Sequence, residues 1–67
     1  MYSKFEKLLS DSNKTIYRVS KDTGISTTTL YDWRDGRSVP KMDKVYILAK
    51  YFGVQFEYFV EHEEVTT

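Results

Sequence analysis

Thr15-Ile16-Tyr17-Arg18-Val19-Ser20-Lys21-Asp22-Thr23, then Gly24-Ile25-Ser26, then Thr27-Thr28-Thr29-Leu30-Tyr31-Asp32-Trp33-Arg34-Asp35 and Gly36 form the stretch whose reading decides the fold. Ile16, Val19 and Thr23 recur at helical spacing and predict one buried face on a helix over about 15–23. Thr15 or Asn13 supplies its N-cap, because a short side-chain oxygen there accepts from an otherwise unpaired amide. Gly24 follows the last turn, where a residue without a Cβ closes a helix in the left-handed region. Ser26 is then the N-cap of a further helix over about 27–35, with Leu30 and Trp33 as its buried edge at i, i+3.

The same punctuation continues on both sides. Phe5, Leu8 and Leu9 mark a first helix over roughly 2–11, and Asp11-Ser12-Asn13 is turn chemistry. Gly36 ends the third helix and Gly53 a fourth, with Ile25 and Val54 placed for the hydrophobic contact of a Schellman stop. Arg37-Ser38-Val39 leads to Pro40, which is tolerated in a first helical turn. The fourth helix, about 41–52, carries Met42, Val45, Leu48, Ala49 and Phe52 on one face. Asp43 in its first turn and Lys50 in its last suit the helix dipole. A short fifth helix over about 55–60 presents Phe56, Phe59 and Val60. No period-2 alternation of any length occurs, so the chain is read as all-α with five helices.

Sixty-seven residues allow one domain, expected over 1–60 with an acidic, disordered tail over 61–67. The absence of cysteine removes disulfides and thiolate zinc sites, so six Tyr, four Phe and one Trp supply much of the core. The apolar runs are far shorter than the ~20 residues that span a bilayer. Met1-Tyr2-Ser3-Lys4-Phe5-Glu6 has no apolar stretch of the secretory-leader kind. Localisation is expected to be cytoplasmic, with no membrane partner. The zero net charge conceals an asymmetry. All ten Lys and Arg lie in residues 1–50, while residues 51–67 hold no Lys or Arg and four acids, Glu57, Glu61, Glu63 and Glu64. A basic front and an acidic end orient a neutral chain toward a polyanion.

A helix, a tight turn on Gly24 and a second short helix have helix-turn-helix spacing. Ser20 is small where the helices approach, and Val19, Ile25, Leu30 and Trp33 bury the seam. Spacing alone leaves a plain αα-hairpin within a bundle equally open. Over about residues 4–60 the chain resembles the lambda-repressor-like, Cro/cI-type (XRE-type) helix-turn-helix domain. The resemblance is carried by Gly24-Ile25-Ser26, Leu30 and Trp33, Gly36-Arg37-Ser38-Val39-Pro40, and Leu48-Ala49-Lys50-Tyr51-Phe52-Gly53-Val54, in that order.

That resemblance implies a compact five-helix domain that binds double-stranded operator DNA, usually palindromic, as a two-fold dimer and often as a repressor, in a bacterial cell or phage-infected host. It places the start of the third helix in the major groove, with Thr27, Thr28, Tyr31 and Asp32 toward base edges. A threonine hydroxyl pairs with either donor or acceptor and its methyl touches a thymine methyl; Asp32 accepts from cytosine N4 or merely avoids the bases. Phosphate contacts are expected from the helix-two start at Thr15 and Ile16, from Ser26, and from Arg37, Ser38 and Lys41 in the following loop. The chain departs from the family at Ile16, where a glutamine is common, and at Leu9 and Arg34, which replace an Arg–Glu pair. Arg34 is consequently expected to be free for a phosphate.

Tyr46, Tyr51, Phe52, Phe56, Tyr58 and Phe59 crowd the end of the chain. They serve as core alone, or as core plus a homodimer contact through Phe56, Tyr58 and Phe59. A second functional reading uses this aromatic face to bind another protein, with the helix-turn-helix as a scaffold. His62 lies among acids without convergent ligands, so no metal is expected. The chain shows no nucleophile–base pair, phosphate-cradling glycine loop or paired-carboxylate site. An enzyme, a cofactor and a small-molecule substrate are therefore not expected.

Overall fold

A computed structural model of the chain describes residues 2–60. The expected tail, with His62, lies outside the described residues. Five helices follow one another: α1 (Tyr2–Ser12), α2 (Ile16–Thr23), α3 (Thr27–Arg34), α4 (Met42–Phe52) and α5 (Phe56–Val60), and no strand occurs among the described residues. The helix-turn-helix pair α2–α3 packs as a unit, α4 backs α2, and α5 lies between α4 and α1.

The core takes at least one fully buried side chain from every helix: Phe5, Val19, Leu30, Val45, Leu48 and Phe59 are wholly sequestered. Trp33 is its centre. Its ring stacks on Phe5 with centroids 5.2 Å apart, meets Tyr2 edge-on at 5.5 Å and lies 6.3 Å from Phe59. Offset and edge-to-face rings add to simple area burial. This cluster lets an eight-residue α3, too short to be stable alone, persist as a helix.

The helix ends follow the sequence with three corrections. Gly24 is left-handed at φ +83°, but its stop is not a Schellman motif. Its N–H donates to the Ser20 carbonyl at 2.9 Å, and the Ile25 N–H goes instead to Thr23 Oγ1 at 3.2 Å. The Thr23 hydroxyl competes with the carbonyl that a Schellman turn would have used. Val54, by contrast, donates to the Ala49 carbonyl at 3.0 Å in the expected Schellman arrangement. A further stop that the glycines did not announce falls on Asn13, left-handed at φ +59°, with the Lys14 N–H on the Leu9 carbonyl. Asparagine tolerates that region better than other side chains. Pro40 lies before α4 rather than in its first turn; Lys41 is the N-cap, and Pro40 is buried.

Candidate nucleic-acid interface

The α2–α3 turn is locked by side chains as well as by Gly24. Ser20 was expected to be merely small, but its hydroxyl also donates to the Ile25 carbonyl at 2.5 Å, and Thr23 Oγ1 donates to the Val19 carbonyl at 2.7 Å. The far end of α2 is tied to α4 by Tyr51, whose hydroxyl donates to Asp22 Oδ2 at 2.5 Å, while Arg18 Nε donates to the same oxygen at 3.0 Å. The tyrosine hydrogen bond, helped by Arg18, holds the Asp22 carboxyl below its usual range. Sequence spacing gives no signal for Asp22–Tyr51, because the residues are 29 positions apart and lie on different helices.

On this frame α3 turns Leu30 and Trp33 inward, and Thr28 and Tyr31 are exposed on the opposite side, flanked by half-exposed Thr27 and Asp32. The four residues expected at base edges thus share one outward face. Ser26 is different. Its Oγ accepts from the Thr29 N–H at 3.1 Å and donates to Thr29 Oγ1 at 3.0 Å, so its only hydroxyl proton is already taken. Ser26 thus caps α3, as its position before Thr27 predicts.

Arg34 is corrected. It is not free: Nε donates to Asp35 Oδ1 at 2.9 Å, and its guanidinium lies 4.8 Å over the Tyr31 ring. The mutual hydrogen bond lowers the Asp35 carboxyl from its usual range and raises the Arg34 guanidinium. The family's lost partner on helix one is thus replaced by a local one. Arg37 is similarly engaged, through Asp32 and Asp35 at 2.9 and 3.3 Å.

Cations without a carboxylate partner among the described residues stand one step further along. Lys41 is exposed, and Lys44 shares with it a groove bordered by Thr29, Ser38 and Asp43. The α4 N-terminus opens here with no side-chain cap, leaving the Met42 and Asp43 amides unpaired. Lys44 was missed by sequence reading; its spacing of three from Lys41 was the available signal. A matching amide pair, Ile16 and Tyr17, opens at the start of α2, where Thr15 Oγ1 already accepts from the Arg18 N–H. Exposed Tyr17, also missed, projects beside it.

The expected dimer contact divides. Phe59 is wholly buried and belongs to the core, so it has no area to offer a second copy. Phe56 and Tyr58 are half-buried against that core. Of the six aromatics at this end, only Phe59 is buried; Tyr51, Phe52, Phe56 and Tyr58 are half-buried and Tyr46 is exposed. Among the described residues no cluster of His, Cys, Asp and Glu could hold a metal ion, and no helix is long and apolar enough to cross a membrane.

Comparison with known proteins adds one finding. No curated protein and no solved structure matches the chain significantly. The family profile described as "Cro/C1-type HTH DNA-binding domain" matches residues 4–64, from the first turn of α1 through α5. With a locked turn, a two-faced α3 and that match over most of its length, the chain belongs to the Cro/C1-type HTH DNA-binding domain family.

Proposed function

We propose that the chain is a sequence-specific transcriptional regulator, a repressor of the phage or bacterial Cro/cI type, that inserts α3 into the major groove of a palindromic operator and acts by excluding polymerase or a competing repressor. The observation that carries this reading is the outward face of α3, where Thr27, Thr28 and Tyr31 stand clear of a helix whose other side is wholly buried. Thr27 and Thr28 meet base edges, where the hydroxyl and methyl of threonine suit thymine-containing steps. Tyr31 borders the same groove.

Backbone grip comes from two open helix starts that flank α3. At one, the Ile16 amide and the Thr15 hydroxyl proton face a phosphate; at the other, Ser38 and Lys41, joined by Lys44, hold the next. A second copy pairs through the uncovered parts of half-buried Phe56 and Tyr58 on α5, matching the two-fold symmetry of the site. The protein works without catalysis, in the cytoplasm alongside the nucleoid.

A salt-titrated gel shift with random and selected duplexes tests the reading. Selected DNA is expected to bind more tightly than random DNA, with log K falling against log salt by ~0.9 per phosphate held. Equal affinity for both, with no salt slope, overturns it and favours a protein partner instead.

A further inference from the structure

Four charged residues meet at the C-terminal end of α3, and their arrangement is asymmetric. Both Arg37 Nε and Arg37 Nη2 contact a single oxygen of Asp32, Oδ1, each at 2.9 Å. Asp32 Oδ2 accepts from no described residue. The backbone imposes this placement: Gly36, left-handed at φ +80°, turns the chain back so that the Arg37 N–H donates to the Asp32 carbonyl at 2.8 Å. The Ser38 N–H reaches the same carbonyl at 3.4 Å. Arg37 Nη2 is further held by Asp35 Oδ2 at 3.3 Å, and Asp35 is held by Arg34. A paired network of this kind restrains its members more than an isolated surface pair does.

We propose that Asp32 and Arg37 form a composite base reader, in which Arg37 is a positioning residue and the unoccupied Asp32 Oδ2 accepts a hydrogen bond from the exocyclic N4 amino group of a cytosine in the major groove. This inference rests on the docking of α3 proposed above. A bare carboxylate is repelled by the phosphates lining the groove; a guanidinium clamped to its other oxygen cancels that charge and fixes the carboxylate plane. An acceptor-only group then discriminates sharply. Guanine presents two acceptors there, thymine a carbonyl, and adenine an amino group next to the N7 acceptor. Cytosine alone offers a donor with no acceptor on the same base. Asp32 lies one turn beyond Thr28 on the outward face, so it reads next to the threonines. Arg37 thereby moves from the phosphate-gripping set to the base-reading one.

Selection from a random duplex pool, followed by salt-titrated binding of variants, tests the pair. Wild type is expected to enrich a site with a cytosine that Asp32→Ala makes indifferent, erasing a preference of about tenfold at that position alone. Asp32→Asn, close in shape, is expected to move the preference to adenine, since an amide pairs with adenine N6 and N7 together. Arg37→Ala is expected to erase the same cytosine preference. The double variant Asp32→Ala, Arg37→Ala removes one charge of each sign and should keep the wild-type salt slope. A double variant whose slope is shallower by ~0.9 assigns Arg37 to a phosphate and overturns the inference. So does an unchanged base preference in both Asp32 variants. A wild-type chain that enriches no duplex at all overturns the proposed function with it, whereas the other two results leave that function standing.

Discussion

The two faces of α3 obey different rules. Inward, Leu30 and Trp33 are at most 4% exposed, and Trp33 is gripped by Phe5, Tyr2 and Phe59. Outward, Thr28 and Tyr31 are exposed, and half-buried Asp32 is paired with Arg37. The inner face and the caps make α3 a helix, so exposed Thr28 on the outer face carries no packing duty. A binding surface built this way can change its side chains without endangering the fold.

The comparison breaks most visibly if the inner face is truncated. Leu30→Ala or Trp33→Ala is expected to cost about 3–5 kcal/mol through lost burial and the cavity left behind. A chain of this length has roughly 3–10 kcal/mol in total, so either variant should be largely unfolded in a urea titration. A loss below ~1 kcal/mol would mean that α3 is held by its caps rather than by its buried edge. Next in size is Gly24→Ala. A Cβ there meets no atom within 4 Å, so only the left-handed backbone opposes it. The expected cost is about 1–2 kcal/mol, read from the same titration. Because the turn aims α3, DNA affinity should fall alongside stability.

Thr28→Ala sharpens the contrast from the other side. Stability should stay within about 0.5 kcal/mol of wild type, as for surface positions that contact nothing. Affinity for selected duplex should fall by about 1–3 kcal/mol, while affinity for random duplex should hold. A Thr28→Ala variant that loses stability instead would place Thr28 on the inner face.

The inner face was nearly all legible in the sequence, because burial imposes a period. Val19, Leu30, Trp33, Val45 and Leu48 follow from apolar spacing alone, and Gly24, Gly36 and Gly53 punctuate it. The outer face was legible only as a set of positions. Thr27, Thr28, Tyr31 and Asp32 share a side because helices have 3.6 residues per turn, but their partners depend on where the next segment folds. The Arg37–Asp32 pair requires the return of the chain at Gly36, and the capture of Arg34 by Asp35 requires the helix to end between them. Neither is a matter of periodicity. The polar links between helices, such as Tyr51 to Asp22, left no trace in the sequence for the same reason.

Those polar links also make the frame that carries α3 respond to acid, which is the smallest effect expected. Asp22 is held below the usual carboxylate pKa of 3.8 by the Tyr51 hydroxyl and Arg18, and Asp35 by Arg34 and Arg37. In the unfolded chain both return toward the ordinary value, so the unfolded state binds more protons between the two ranges and stability rises with pH there. The contribution is complete above the unfolded pKa and is lost as the pH falls through the folded one. Both carboxylates lie near the surface, so the slope is shallow and should weaken further in high salt. Urea titrations between neutral and acidic pH should show this decline in wild type and a flatter one in Tyr51→Phe. Leu30→Val, which alters only apolar packing, should shift the whole curve downward without changing its slope. If Tyr51→Phe leaves the slope intact, the α2–α4 link carries no proton linkage, and Asp35 together with the Arg18–Asp22 pair accounts for the decline.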